Sequence, residues 1–334
     1  MTEAQRHTIT HDDHVLPFQV EKTGVRGRMV RLGDLVNDIL TRHDYPVPVS
    51  RLLGEALALA ALLGEALKFD GTLTIQAQGN GPVGLLVTTF TSPGAMRGYA
   101  QVDEKMYAAL EAAEDDISTG ALLGKGHLAL TIDPGGDMDR YQGIVALHGT
   151  GLTEAAHEYF RQSEQIATSI KLAVGQIASA GEGPIWRAGG IMIQHLAADG
   201  GIQDEREREA RIQAGEIEET LTESGEDVEE AWNRAAILLE TTEDHELLDP
   251  MVAPEQLLFR LYHEDGVRVY EPRALSRVCR CSQDRSQGIL RSFPIEDLRE
   301  MAEDGRLSVK CEFCNEVYDF DAETLEPLGE TAGS

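Results

Sequence analysis

The stretch that decides the fold class is "GTLTIQAQGNGPVGLLVTTF", residues 71–90. Its first half alternates, placing Leu73, Ile75 and Ala77 on one side of an extended chain, and its second half is expected to do the same with Val83, Leu85 and Val87. Apolar residues at a period of two mark a half-buried strand, and Gly-Asn-Gly between two such runs is turn chemistry. The same residues match G-x-G-x-x-G over Gly79–Gly84, with Asp103 about twenty residues on. A dinucleotide site needs that motif to close a strand and open a helix. Here it joins two strands, so the reading is a β-hairpin.

Outward from this hairpin the first 197 residues alternate strands and helices without βαβ regularity. "HVLPFQVE" and "VRGRMVRL" read as strands, and "GDLVNDILTRH" as a short helix. An apolar helix is expected from about Val49 to Leu67. Its densest part, "LLGEALALAALLGEAL", carries Glu55 and Glu65 and is short of a membrane span, which makes it a buried core helix. "HLALTID" and "RYQGIVALHG" form a second hairpin around "PGGDMD", a helix follows near Thr153–Gln162, and "IATSIKLAV" alternates as a strand. The predicted fold class is α+β: a mostly antiparallel sheet core with covering helices, a helical linker and a small C-terminal domain.

The texture changes at Ala198. From Asp199 to Asp249 there are eighteen acidic residues against four basic ones. Apolar residues persist at helical spacing (Ile212, Ile217, Leu221, then Trp232, Ala235, Ala236, Leu239), and "PEQLLFRLYHED" is a helix opened by Pro254. A solvated helical spacer is the bland account of this region, and a marginal helical linker the sharper one. The expected organisation is a core domain over 1–197, an acidic linker over 198–262 and a small C-terminal domain over 263–334, whose chemistry its cysteines set.

The net charge of −29 argues against nucleic-acid and anionic-membrane partners, since both need fields of Lys and Arg. No basic segment followed by an apolar run opens the chain, so the expected location is the cytoplasm. Thiols are reduced there, and clustered cysteines point to metal or redox chemistry rather than structural disulfides. The first 278 residues contain no cysteine; Cys279 and Cys281 then lie in "SRVCRCSQDR" (276–285), Cys311 and Cys314 in "VKCEFCNEV" (309–317). C-x-x-C is a tight turn that aims two sulfurs at one ion, and C-x-C puts two sulfurs on one side of an extended segment. Two such pairs make a closed four-thiolate zinc site, structural because no coordination position is left for water. One Zn2+ per chain is expected. Metal-bound sulfur is thiolate, the form oxidants attack, and losing one ligand frees its close neighbour to bridge. A segment of this size buries too little apolar surface to fold securely without its ion.

Taken with "LKFDGTLTIQAQGNGPV", "MRGYA", "YFRQSEQIATSIKLAV", "AGGIMIQHL", "LFRLYHEDGVRVYEP", "CRCS" and "CEFCNEVYDF", the chain resembles the redox-regulated heat-shock holdases of thirty-three kilodaltons over nearly its whole length. The resemblance implies a holdase that works without ATP and is not an enzyme. It implies a zinc-loaded, inactive reduced form, in which Cys279, Cys281, Cys311 and Cys314 hold the metal. Oxidation would release zinc, form Cys279–Cys281 and Cys311–Cys314 disulfides, partly unfold the chain and make it a homodimer. Partners would be unfolding client proteins and, downstream, ATP-driven foldases. The alternative from the residues is a thiol–disulfide oxidoreductase using Cys311 and Cys314, which lacks a preceding βαβ pattern. "HEYF" at His157 has no second histidine for a zinc protease, no G-x-S-x-G is present, and the histidines read as structural or solvated.

Overall fold

The computed structural model describes residues 12–66, 70–136, 138–164, 166–179, 183–195, 228–322 and 325. They fall into two compact units, one ending at Arg277 and one beginning at Val278. The larger unit contains β1 (His14–Val20), β2 (Val25–Leu32), α1 (Asp34–Thr41), α2 (Val47–Gly64), β3 (Thr72–Gly79), β4 (Val83–Thr91) and β5 (Ala95–Val102). It continues with α3 (Glu104–Glu111), α4 (Thr119–Leu123), β6 (Lys125–Asp133), β7 (Tyr141–His148), α5 (Leu152–Tyr159), β8 (Thr168–Ser179) and β9 (Gly183–His195). Next come α6 (Val228–Glu240), α7 (Asp244–Leu248), α8 (Pro254–Tyr262), β10 (Val267–Val269), β11 (Arg273–Ala274) and β12 (Ser276–Arg277).

Two sheets result. One has the order β10-β1-β2-β9-β8, with β11 also on β1; the other runs β12-β5-β4-β3-β6-β7. Apart from the parallel β12–β5 pair, the strand pairs of both sheets are antiparallel. The class is α+β. The hairpin of residues 71–90 forms in register from Thr72↔Thr91 to Gln78↔Leu85. Its glycines serve close packing: a Cβ on Gly79 would stand 1.9 Å from the Leu123 carbonyl oxygen and one on Gly81 2.3 Å from that of Leu122. The expected face of β4 needs correction. Its register against β5 shifts between Val83 and Leu85, a bulge that reverses the side chains beyond it. The buried positions are therefore Val83, Leu86, Thr88, Thr89 and Phe90, with Leu85 and Val87 half-buried.

Helix α2 lies between the sheets, against β3, β4 and β5 on one side and β2, β8 and β9 on the other. Such a helix must be apolar all round, which explains its weak amphipathicity. By length and composition Val47–Gly64 could cross a membrane; here its leucines and alanines form the main core. Each buried leucine contributes roughly 1.5–3 kcal/mol of transfer free energy. The charged residues of this helix are Arg51, which is exposed, and the deeper-lying Glu55. Burial holds its carboxyl up at about 7; Glu154 and Asp244 push the same way and Arg51 opposes them.

The outer face of the first sheet is covered by the helices of the acidic segment. Leu16, Phe18, Val20, Val25, Met29, Ala173, Ile191 and Ile193 pack against Ala235, Leu239, Leu247, Leu257, Leu258, Leu261 and Tyr262. Residues 228–262 are thus a docked layer and not a solvated spacer. Tyr262 stacks on Phe18 with ring centroids 5.9 Å apart, and Arg234 pairs with Asp265 at 2.8 Å. Ile212, Ile217 and Leu221 lie outside the described residues. Arg31, 1% exposed on β2, donates to the carbonyls of Glu246 (2.6 Å), Asp249 (3.0 Å) and Val252. A cation there faces the negative end of α7. Gly189 lets α7 sit down on the sheet, since a Cβ would meet the Leu247 carbonyl oxygen at 2.7 Å. Beyond α8, residues 267–277 add β10 and β11 to one sheet and β12 to the other, and the larger unit ends at Arg277.

Candidate metal centre

The smaller unit has two helices, α9 (Gln283–Leu290) and α10 (Ile295–Met301), and a hairpin of β13 (Arg306–Lys310) and β14 (Val317–Asp321). Ser282 caps α9 by accepting from the Arg285 amide at 3.2 Å, as its place before the helical run predicts. Leu290, Leu298, Leu307, Phe320, Ala322 and Leu325 form its core among the described residues. That is a small apolar store for a unit of this length.

The hairpin builds half of the site. The segment 311–316 joins its strands, and Cys311 and Cys314 sit in that connection. The Cys311 amide donates to the Glu316 carbonyl at 2.9 Å, and the Asn315 amide donates to the Cys311 carbonyl at 2.9 Å. Asn315 takes φ 58°, the left-handed region that Asn tolerates, which closes the knuckle. The other half is the C-x-C segment ahead of α9, a stretch outside any helix or strand. It brings Cys279 Sγ to 3.6 Å from Cys311 Sγ, and Cys281 Sγ to 3.3 Å from Cys314 Sγ. All four sulfurs lie within 4.8 Å of one another.

This arrangement fits a tetrahedral metal ion. Zn–S bonds of about 2.3 Å place the sulfurs about 3.8 Å apart, close to the spacing found. The donor set is four soft sulfurs, which suits zinc and other thiophilic ions and not a hard cation. Metal-free, the cluster is awkward: burial pushes the Cys314 thiol up, an effect the Glu316 backbone hydrogen bond counters and the three neighbouring thiols reinforce. A cation among the sulfurs reverses that preference.

Sequence reasoning missed Tyr318. Its hydroxyl donates to Cys281 Sγ at 3.3 Å, and that bond, ahead of burial, holds the phenol proton on and raises its pKa. The register Val309↔Tyr318 sets this ring beside the knuckle, a pairing that the strand pattern alone does not specify. His157 has a structural task. Its Nε2 accepts from the Ile170 amide at 3.0 Å, and burial holds the ring below the ordinary histidine range.

The comparisons with known proteins cover the same span. The family model described as "Hsp33 protein" matches residues 13–321. The 33 kDa chaperonin of Caulobacter vibrioides (strain NA1000 / CB15N) is 45% identical over 324 residues, 96% of this chain and 99% of that one. The 33 kDa chaperonin of Pseudomonas aeruginosa (strain LESB58) is 38% identical over 329 residues, 98% of this chain and 97% of that one. A crystal structure of the 33 kDa chaperonin (heat shock protein 33 homologue) of Thermotoga maritima has a TM-score of 0.69 at 22% identity, over 94% of this chain and 96% of that one, and shares the fold. Fold and site define a chaperone-type α+β protein with a four-thiol unit near its C-terminal end, whose relatives are named as chaperonins and not as enzymes. The chain belongs to the Hsp33 family.

Proposed function

We propose that this protein is a redox-regulated holdase chaperone that acts without ATP and is not an enzyme. In the reduced form Cys279, Cys281, Cys311 and Cys314 hold one Zn2+, and the chaperone is inactive. The observation that carries this reading is the convergence of four sulfurs within 4.8 Å in a unit with so small an apolar core. When bound, zinc keeps the four sulfurs as thiolates and cross-links two segments about thirty residues apart. The chain's own residues do the rest. The knuckle and the C-x-C segment aim the sulfurs, the Glu316 amide hydrogen-bonds Cys314, and Tyr318 orients Cys281.

Oxidation removes thiolates, the unit loses its cross-link, and unfolding spreads toward the acidic segment. Contacts between Cys279 and Cys311, and between Cys281 and Cys314, depend on the fold. Cysteines two and three residues apart keep a high effective concentration in an unfolded chain. Disulfides Cys279–Cys281 and Cys311–Cys314 are therefore the products of a site that opens as it oxidises. The undocked chain offers apolar surface to unfolding clients under oxidative stress. The oxidised form is a homodimer in the cytoplasm and passes clients to ATP-driven foldases.

The test follows zinc release, disulfide mapping and suppression of aggregation on one sample, before and after peroxide with mild heat. The reading requires all three to change together. Equal suppression of light scattering by reduced, zinc-loaded protein would refute it, and sustained catalytic turnover in a disulfide-reduction assay would favour an oxidoreductase.

A further inference from the structure

We propose that Tyr318 is a positioning residue that slows the reaction of Cys281 with oxidants by restraining its sulfur. This rests on the redox reading above. The Tyr318 hydroxyl donates to Cys281 Sγ at 3.3 Å. The ring is fixed for that task. It stands on β14 opposite Val309, half-buried, against the cluster of Leu290, Leu298, Leu307 and Phe320. A hydroxyl carries one proton, so this bond serves one sulfur of the four. A donor on a thiolate draws charge from the lone pair that attacks an electrophile, and hydrogen bonds to charged acceptors are the stronger kind.

The consequence lies in the oxidation step. With hydrogen peroxide as oxidant, a thiolate lone pair attacks one peroxide oxygen. The S–O bond forms, the O–O bond breaks, and hydroxide leaves. The second thiolate of the pair then attacks the sulfenic sulfur, forming S–S and expelling a second hydroxide. Two electrons pass from the two sulfurs to the peroxide for each disulfide. Cys281 is slow as the attacker for as long as the unit stays folded and Tyr318 holds it, before the site opens. The C-x-C pair therefore closes at a higher peroxide dose than it would without the phenol. Tyr318 raises the threshold of the switch.

The experiment uses the full-length, reduced, zinc-loaded chain and its Tyr318→Phe variant, which keeps the ring and loses only the hydroxyl. Iodoacetamide pulses are read by mass spectrometry at each cysteine. Arg280 lies between Cys279 and Cys281, so tryptic cleavage separates the two. Cys281 is expected to alkylate roughly five- to tenfold faster in the variant, the size of one such hydrogen bond, with the other three thiols changing much less. Cobalt-substituted protein provides a second reading: the sulfur-to-metal charge-transfer band should move to lower energy in the variant. An unchanged Cys281 rate, or an equal acceleration at all four thiols, overturns the proposal; the second result would mean that the ring merely supports the unit. The two readings fail separately. If peroxide releases zinc from both chains while Cys281 rates match, only the role of Tyr318 falls. If Cys281 accelerates but peroxide neither releases zinc nor elicits holdase activity, the role of Tyr318 stands and the redox switch falls.

Discussion

At the scale of single residues, each of the four cysteines carries the same burden. Replacing any one by serine removes a soft ligand and leaves three sulfurs around a damaged site. Structural zinc contributes on the order of 10–16 kcal/mol in small domains, more than a core of this size supplies. Each variant should lose its zinc in elemental analysis and lose amide protection over 278–322. A Cys→Ser chain that keeps both would show the sulfurs to be incidental. Glu55 leads to a pH prediction. The folded chain keeps that proton up to about pH 7, whereas the unfolded value is 4.5. The folded state binds more protons between those values, so its stabilisation is complete below the unfolded pKa and is lost as pH rises through the folded one. Relative to Glu55→Gln, the wild type should lose on the order of 2 kcal/mol of unfolding free energy from pH 5 to pH 8. Parallel curves for the two chains would contradict this. The convergence of the four cysteines was legible in the sequence because they come as two close pairs near one end of the chain. Tyr318 was not, because its partner Cys281 is 37 residues away, on a segment that the local pattern of β14 does not report.

At the scale of elements, the docking of α7 rests on Arg31 and Gly189. Arg31→Met leaves the carbonyls of Glu246, Asp249 and Val252 without their cation. Buried hydrogen bonds to a charged group are each worth about 1.5–3 kcal/mol. Residues 244–252 should exchange amide hydrogens faster in this variant by at least tenfold, while the α2 core stays protected. Gly189→Ala should act in the same direction, through the 2.7 Å approach of its Cβ to Leu247. Unchanged exchange over 244–252 in both variants would remove this seat from the account. In the smaller unit Leu298→Ala should cost about 2–4 kcal/mol, tolerated with metal bound and unfolding without it, as followed by circular dichroism. Strand and helix types were largely readable because period-two and helical patterns are local. The face of β4 was misjudged because a bulge is set by the partner strand β5, which pattern reading along one strand does not include. The docked layer of 228–262 was also hidden. Its heavy acidic content reads as solvation, yet Ala235, Leu239 and Leu247 are fully buried on one side.

At the scale of the whole molecule, two kinds of stability are joined in one chain. The larger unit encloses an apolar helix between two sheets and holds the acidic helices on an outer face. The smaller unit relies on a few apolar side chains and a sulfur cluster. The fold class was legible because the hairpin of residues 71–90 excluded a dinucleotide fold. The boundary at Arg277 was not, because β10–β12 are two or three residues long and carry too little pattern to show that they belong to the larger unit's sheets. The two tryptophans separate these regions in fluorescence: Trp186 sits in the main core and Trp232 on α6 against His195. Oxidation should change the emission of a Trp186→Phe chain, which retains Trp232, and leave that of a Trp232→Phe chain nearly constant.

The most direct measurement is hydrogen exchange by mass spectrometry on the full-length protein, with zinc content followed in the same samples through a peroxide titration. The account predicts that residues 278–322 lose protection in proportion to zinc released, while 14–195 keep theirs. Protection of 278–322 that survives complete loss of zinc would contradict it.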